Sequence, residues 1–160
     1  MGQAKPRRVR FAGFVWTLSG RPAMSDAPAI ILFDGVCNFC NGVVRFVHAR
    51  DPRGRLRFAA LQSDAARRLC AAIGHALPAE SDPDTIVVIV GDHAFERSDA
   101  ALEIARRLRF PWPLFGVFRV LPRALRDPLY RFVARNRYAW FGRSDNCMMP
   151  TPELRARFVE

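Results

Sequence analysis

The sequence predicts an α/β domain with the element order βαβαββα, followed by a helical C-terminal extension. Residues 30–33 form a short apolar strand that leads through a turn into a helix opening on a Cys-x-x-Cys pair. Residues 55–61 begin with the alternation of a half-buried strand, which completes a strand–helix–strand unit. Residues 85–90 are an unbroken, mostly β-branched run, which is typical of a strand buried on both faces.

Turn and capping residues separate the remaining elements. Residues 51–54, Asp-Pro-Arg-Gly, predict a turn after the first helix. Ser63 is a suitable N-cap for a second helix over residues 64–73. The chain then forms a hairpin into an edge strand at residues 94–97, and a third helix covers residues 98–109. This order is that of a minimal thioredoxin- or glutaredoxin-like fold.

Composition divides the chain into three segments. Residues 1–28 are predicted to be a disordered N-terminal extension or a mis-annotated start, because they lack periodicity and Met24 leads directly into the first strand. Residues 29–110 hold the thioredoxin-like core. Residues 111–160 are predicted to be a helical C-terminal extension that packs on the core, with its arginines outward and its aromatic residues buried.

The C-terminal extension is unusually basic. Residues 105–143 carry ten arginines against Asp127, a net charge of +9 in a chain whose total is +10. Pro122 and Pro128 both suit the first turn of a helix, the second behind Asp127 as N-cap. Basic residues among aromatic ones also fit a module that binds nucleic acid or an anionic surface, and this alternative stays open. It requires one surface patch built from Arg119, Arg123, Arg131, Arg135 and Arg137.

The chemistry of the chain centres on Cys37 and Cys40. A helix N-terminus favours an anion, so it lowers the pKa of a cysteine placed there. Two sulfurs at this spacing can form a disulfide reversibly. We expect Cys37 to be the exposed, attacking thiol of low pKa and Cys40 to be the buried partner that resolves the mixed disulfide.

Asp34, three residues before Cys37, has two possible roles. A partly buried carboxyl group could carry the proton of Cys40 during resolution, although its charge would also raise the pKa of a nearby thiol. Alternatively, Asp34 caps the turn or the helix start. The sequence does not decide between them.

The remaining cysteines and the histidines predict no metal site. Structural zinc requires four ligands, commonly in two close pairs, whereas Cys70 and Cys147 are isolated. Cys70 is predicted to be a core residue, and Cys147 a structural thiol or a third redox thiol near Cys37. We predict no cofactor, no transmembrane segment and, from the single Cys-x-x-Cys motif, a reducing cytoplasmic location.

Four motifs in order resemble the DCC family of thiol-disulfide oxidoreductase-like proteins. They are the segments at residues 34–42, 57–63, 97–101 and 135–142, and the resemblance ends near residue 154. It implies a thioredoxin-like domain and a thiol-disulfide oxidoreductase that uses Cys37 and Cys40. The expected partners are thiols or disulfides of proteins or small molecules, and nucleic acid is not expected because no Lys-rich or Gly-rich binding motif is present.

Substrate contacts are expected from residues beside the cysteine pair. Asn38 and Phe39 lie between the two cysteines. Enzymes of the thioredoxin fold usually place a cis-proline immediately before the third strand, facing the active cysteines. Here Pro83 is two residues too early, and we expect Thr85 to face the sulfurs in its place.

Overall fold

The computed structural model describes residues 8–11, 14–17, 28–77, 85–143 and 151–159. The six strands are β1 (Arg8–Phe11), β2 (Phe14–Thr17), β3 (Ala29–Phe33), β4 (Leu56–Ala60), β5 (Val87–Val90) and β6 (His93–Glu96). The helices are α1 (Asn38–Arg50), α2 (Asp64–Ala72), α3 (Arg97–Arg107), a 3₁₀ helix (Trp112–Val120), α4 (Arg123–Phe141) and α5 (Pro152–Arg155).

Four of the strands form one mixed sheet in the order β4-β3-β5-β6. Strand β3 is parallel to β4 and antiparallel to β5, and β6 is antiparallel to β5. With α1, α2 and α3 this gives the predicted order βαβαββα, which confirms the thioredoxin-like fold. Strands β1 and β2 pair with each other in a separate two-stranded sheet.

The helices cover both faces of the four-stranded sheet. Alternate residues of β3 point to opposite faces, so Ile31 and Phe33 pack with α1 and α3, whereas Leu32 packs with α2. Cys70 of α2 is buried in this second cluster, as predicted for a core residue. Helix α2 therefore lies on the side of the sheet opposite α1 and α3.

Helix α4 is one element, and the prediction of a helix start behind Asp127 is wrong. It begins after Pro122 and continues through Pro128 to Phe141. Asp127 does not cap a helix; its side chain accepts a hydrogen bond from Ser98 at the start of α3. Arg126 forms an ion pair of 2.9 Å with Asp99 in the same turn of α3, so polar contacts hold the first half of α4 to the core.

The prediction of buried aromatic residues in the extension is also wrong, whereas that of outward arginines holds for Arg123, Arg131 and Arg135 and fails for Arg137. The 3₁₀ helix buries none of its residues, and α4 buries only Ala134 and Arg137. The physical reason is that α4 docks through hydrogen bonds and ion pairs to the core, which leaves its large apolar side chains outside. Trp112 is an exception, because its ring packs edge-on against Phe46 of α1 at 4.7 Å.

The last described residues complete the edge of the sheet. The Phe58 N–H donates to the carbonyl of Arg157 at 2.9 Å, and the Val159 N–H donates to the carbonyl of Phe58 at 2.8 Å. These bonds occupy the outer edge of β4, which would otherwise expose unpaired backbone groups. Leu154 of α5 is buried in the core beside β3 and α1.

We predict that a chain starting at Met24 folds as stably as the full chain. Strands β1 and β2 hydrogen-bond only with each other among the described strands, so their removal breaks no ladder of the four-stranded sheet. Thermal unfolding of the two chains measures this. A melting temperature lower by more than about 4–8 °C, the shift that ~1 kcal/mol produces in a small domain, would contradict the prediction.

Candidate active site

Cys37 is the N-cap of α1. Its backbone is extended, with φ −90° and ψ 118°, and its Sγ accepts a hydrogen bond of 3.3 Å from the N–H of Cys40. The sulfur therefore occupies the place that a serine or aspartate oxygen takes at other helix starts. Here it lies where unpaired N–H groups and the positive end of the helix dipole favour a thiolate.

The pKa values of the two cysteines move in opposite directions. The hydrogen bond from the Cys40 side chain lowers the pKa of Cys37 from 9.0 to about 6, and the Cys40 N–H and the Arg137 charge act in the same sense. Burial and the charge of Asp34 oppose this change. The same bond raises the pKa of Cys40, and burial adds to the effect. At neutral pH the pair therefore holds one thiolate, at Cys37, and one thiol, at Cys40.

The predicted exposures of the two cysteines are reversed. Cys37 is 0% exposed and Cys40 is half-buried. The chain after α4 covers Cys37: Arg143 forms a backbone β-bridge with it. Sequence position alone places Cys37 at an exposed helix end, and it does not show that a segment more than one hundred residues later folds over that end.

Asp34 connects the loop before α1 to helix α4. Its Oδ1 accepts hydrogen bonds of 3.1 Å from the N–H of Val36 and from Gln62. Its Oδ2 accepts one of 3.1 Å from Arg137 and another from the hydroxyl of Tyr138. Asp34 thus caps the turn after β3, as one of the two sequence interpretations expected, while Cys37 caps the helix.

Arg137 and Tyr138 are site residues that the sequence analysis did not identify. Arg137 is only 4% exposed, where an outward side chain was predicted, and its guanidinium group forms an ion pair with Asp34. Burial and the hydrogen bond to Asp34 raise the pKa of Tyr138, which keeps its hydroxyl protonated as a donor. Both residues belong to the 135–142 motif, and that motif is the feature of the sequence that could have identified them as site residues.

Asn38 and Phe39 both contact the end of α4. Asn38 donates to the carbonyl of Phe141 at 3.1 Å, and the Phe39 and Phe141 rings lie 5.0 Å apart. Gly142, with φ 74°, ends α4 beside Asn38 and turns the chain towards Cys37. The two residues between the cysteines therefore hold the covering segment in place.

Thr85 lies at the same end of the sheet as the cysteine motif. Because Leu32 pairs with Val87, Thr85 reaches the level of Asp34, just beyond the carboxyl end of β3. It is buried, and its Oγ1 has no hydrogen-bond partner among the described residues. Pro83 and Cys147 lie outside the described residues.

The arginines of the extension do not form the single patch that the alternative function required. Arg137 is buried, and Arg119 and Arg123 form ion pairs with carboxylates of α3. Arg131 and Arg135 are exposed on α4. In the part of the chain that the structure describes, no group of three or more His, Cys, Asp or Glu side chains could hold a metal ion.

We predict that alkylation of Cys37 by iodoacetamide reaches half its maximal rate near pH 6. Only the thiolate reacts, and a lowered pKa means that the thiolate persists down to this pH and is lost below it. Cys40, whose pKa is raised, should stay unlabelled while Cys37 reacts. The measurement is the labelling rate of each cysteine against pH, by mass spectrometry of the peptides.

Two variants control this experiment. Cys70→Ser should leave the profile unchanged, because Cys70 is buried on the other face of the sheet. Phe141→Ala should raise the rate at every pH without moving the midpoint, because it loosens the cover over Cys37. A midpoint near 9, or labelling of Cys40 first, would refute the assignment.

Comparison with known proteins identifies the family to which this chain belongs. Residues 31–143 match the family model of DCC1-like thiol-disulfide oxidoreductases. The uncharacterised protein YuxK of Bacillus subtilis is 43% identical over 130 residues, which cover 81% of this chain and 93% of that protein. A chloroplastic DCC family protein of Arabidopsis thaliana is 43% identical over 123 residues, covering 76% of this chain and 70% of that protein. No solved structure matches. The chain belongs to the DCC1-like thiol-disulfide oxidoreductase family.

Proposed function

We propose that the protein is a thiol-disulfide oxidoreductase in which Cys37 is the nucleophile and Cys40 the resolving thiol. The observation that carries this proposal is the Cys37 sulfur at the N-cap of α1, hydrogen-bonded to Cys40 and lowered in pKa to about 6. A thiolate that is stable at neutral pH, one helical turn from a protonated thiol, is the arrangement that thiol-disulfide exchange requires.

In the reducing direction, the Cys37 thiolate attacks one sulfur of a substrate disulfide. This forms a mixed disulfide and releases the other substrate sulfur as a thiolate. Cys40 then loses its proton and attacks the Cys37 sulfur, which frees the second substrate sulfur and leaves a Cys37–Cys40 disulfide. Two electrons pass from the pair to the substrate, whose sulfurs take up protons. The reverse sequence oxidises a substrate dithiol.

In this mechanism Asp34 acts through other groups. Both of its oxygens already accept hydrogen bonds, from Val36, Gln62, Arg137 and Tyr138. We therefore propose that Asp34 is a positioning residue that holds Arg137 beside the cysteine pair. The Arg137 charge lowers the pKa of both cysteines, which favours the thiolate of Cys37 before attack and of Cys40 during resolution.

Substrate access depends on the covering segment. Cys37 is fully buried and its backbone bridges to Arg143, so we propose that Phe141–Arg143 moves away from α1 before the thiolate attacks a disulfide. We propose that Asn38 and Phe39, released from Phe141, then contact the substrate, together with Thr85, which precedes β5. The proposed substrates are thiols or disulfides of proteins or small molecules in a reducing compartment such as the cytoplasm.

We predict that the protein accelerates the reduction of insulin by dithiothreitol. Cys37→Ser should abolish the acceleration, because it removes the attacking thiolate. Cys40→Ser should accumulate a mixed disulfide at Cys37, because its resolving thiol is absent. The matched control is Cys70→Ser, which should keep the full rate. Turbidity of the released insulin chains measures the reaction, and mass spectrometry identifies the trapped bond.

The same samples separate the proposed roles of the cysteines. A Cys37→Ser variant as active as the unaltered chain would refute the function. In mildly oxidised Cys40→Ser protein, a Cys37–Cys147 disulfide would identify Cys147 as a third redox thiol. Its absence would leave Cys147 outside the reaction.

A further inference from the structure

Among residues 28–77, 85–143 and 151–159, whose side-chain exposure the structure describes, the exposed large apolar side chains all lie between Phe110 and Phe141. We call this set the apolar face. Its members are Phe110, Leu114, Phe115, Val117, Phe118, Val120, Leu121, Leu125, Leu129, Phe132, Trp140 and Phe141. Exposed apolar patches of this kind mark sites of interaction, whereas single exposed apolar residues need no explanation.

On α4 the apolar face is a regular stripe. Leu125, Leu129, Phe132 and Trp140 recur at helical spacing and are 65%, 68%, 58% and 53% exposed. Ala134, which is buried, lies on the opposite side of the helix. Apart from the edge-on contact of 5.8 Å between the Phe132 and Trp140 rings, these side chains therefore stay largely exposed to solvent.

The 3₁₀ helix extends the apolar face. Its rings contact one another in sequence, Trp112 stacked on Phe115 at 5.7 Å and Phe115 tilted against Phe118 at 5.9 Å. Both the 3₁₀ helix and α4 pack against α3, so they lie on the same side of the sheet. The exposed apolar residues thus cover two successive elements on one side of the molecule.

The segment that carries the apolar face is rich in arginine. Residues 97–143 contain eleven arginines and three acidic residues, a net charge of +8, and one of these arginines, Arg137, is paired with Asp34 outside the segment. Arg131 and Arg135 are exposed on α4, along one flank of the apolar stripe. An apolar stripe bordered by arginines is the pattern of a helix that lies in the interface of a membrane.

We propose that the apolar face docks the protein on an anionic lipid bilayer. Leucine and aromatic side chains would enter the boundary between head groups and acyl chains, while arginines would contact the anionic head groups. None of the described helices is long and apolar enough to cross a membrane. The protein would therefore lie on the bilayer surface.

Charge favours this occupant over two others. A second copy of the chain would bring another positive surface against the first, and the two would repel each other. A nucleic acid would satisfy the arginines, but its backbone would not cover the aliphatic side chains of Leu125 and Leu129. An anionic bilayer satisfies both the charge and the apolar area.

The test is cosedimentation of the full chain with phospholipid vesicles. One set contains phosphatidylglycerol and phosphatidylcholine in equal parts, and the other phosphatidylcholine alone. We expect binding to the anionic vesicles that weakens at high salt, and little binding to the neutral ones. Leu129→Ser with Phe132→Ser should weaken binding at least about tenfold, because both side chains leave the apolar phase.

A charge control separates docking by this face from general attraction. Arg131→Glu with Arg135→Glu should weaken binding at least about tenfold, since each basic residue near an anionic surface contributes to binding. Arg67→Glu with Arg68→Glu makes the same change of net charge on α2, across the sheet, and should have little effect. Circular dichroism should show every variant folded, because all six positions are exposed.

Three results would overturn the proposal. The first is no binding to anionic vesicles, or equal binding to neutral ones. The second is an equal loss in the α2 control. The third is a dimer at the same protein concentration that Leu129→Ser with Phe132→Ser dissociates, because a second copy would then cover the apolar face.

Discussion

The buried ion pair between Asp34 and Arg137 is the interaction on which the candidate site depends. Both side chains are almost inaccessible, at 10% and 5% exposed, and they join the end of β3 to a helix more than one hundred residues later. Removing one partner alone would leave an unpaired buried charge, at a cost of about 3–5 kcal/mol. The pair therefore fixes α4 against the cysteine loop, and the cover over Cys37 follows from that placement.

The same pair contributes to the electrostatics of the cysteines. The hydrogen bonds from Cys40 lower the pKa of Cys37 most, against the opposing effect of burial. Beside them, the positive charge of Arg137 lowers this pKa and the negative charge of Asp34 raises it. The helix start and the hydrogen bonds from Cys40 favour a thiolate, and α4 adds the charge of Arg137, which acts in the same direction. Reactivity and the position of the C-terminal extension are thus coupled.

The sequence predicts the elements of the core well, because the residues that mark their starts and ends lie within or next to each element. Ser63 caps α2 as expected, with its hydroxyl accepting the N–H of Ala66 at 3.2 Å. Cys37 and Cys40 fall at the start of α1 because the turn and the apolar periodicity mark that start. These features depend on neighbouring residues alone, so one sequence is enough to infer them.

The sequence predicts the packing of the C-terminal extension poorly, because this segment docks on the core through polar contacts. Periodicity identifies the apolar face of a helix, and burial of that face is the usual outcome. Here Arg126 and Arg137 turn inward to Asp99 and Asp34, so the apolar side faces out. The partners lie far apart in sequence, and nothing local to either residue shows the pairing. Cys37 was expected to be exposed for the same reason, since its cover comes from this extension.

The most direct test is the pKa of Cys37, followed by the ultraviolet absorbance of its thiolate, in two variants. Arg137→Gln should raise this pKa, because it removes the positive charge beside the sulfur. Arg126→Gln removes a comparable α4 arginine that pairs with Asp99 instead, and it should leave the pKa unchanged. A Cys37 pKa that does not respond to Arg137→Gln, or that moves equally in Arg126→Gln, would contradict the coupling between α4 and the cysteine pair.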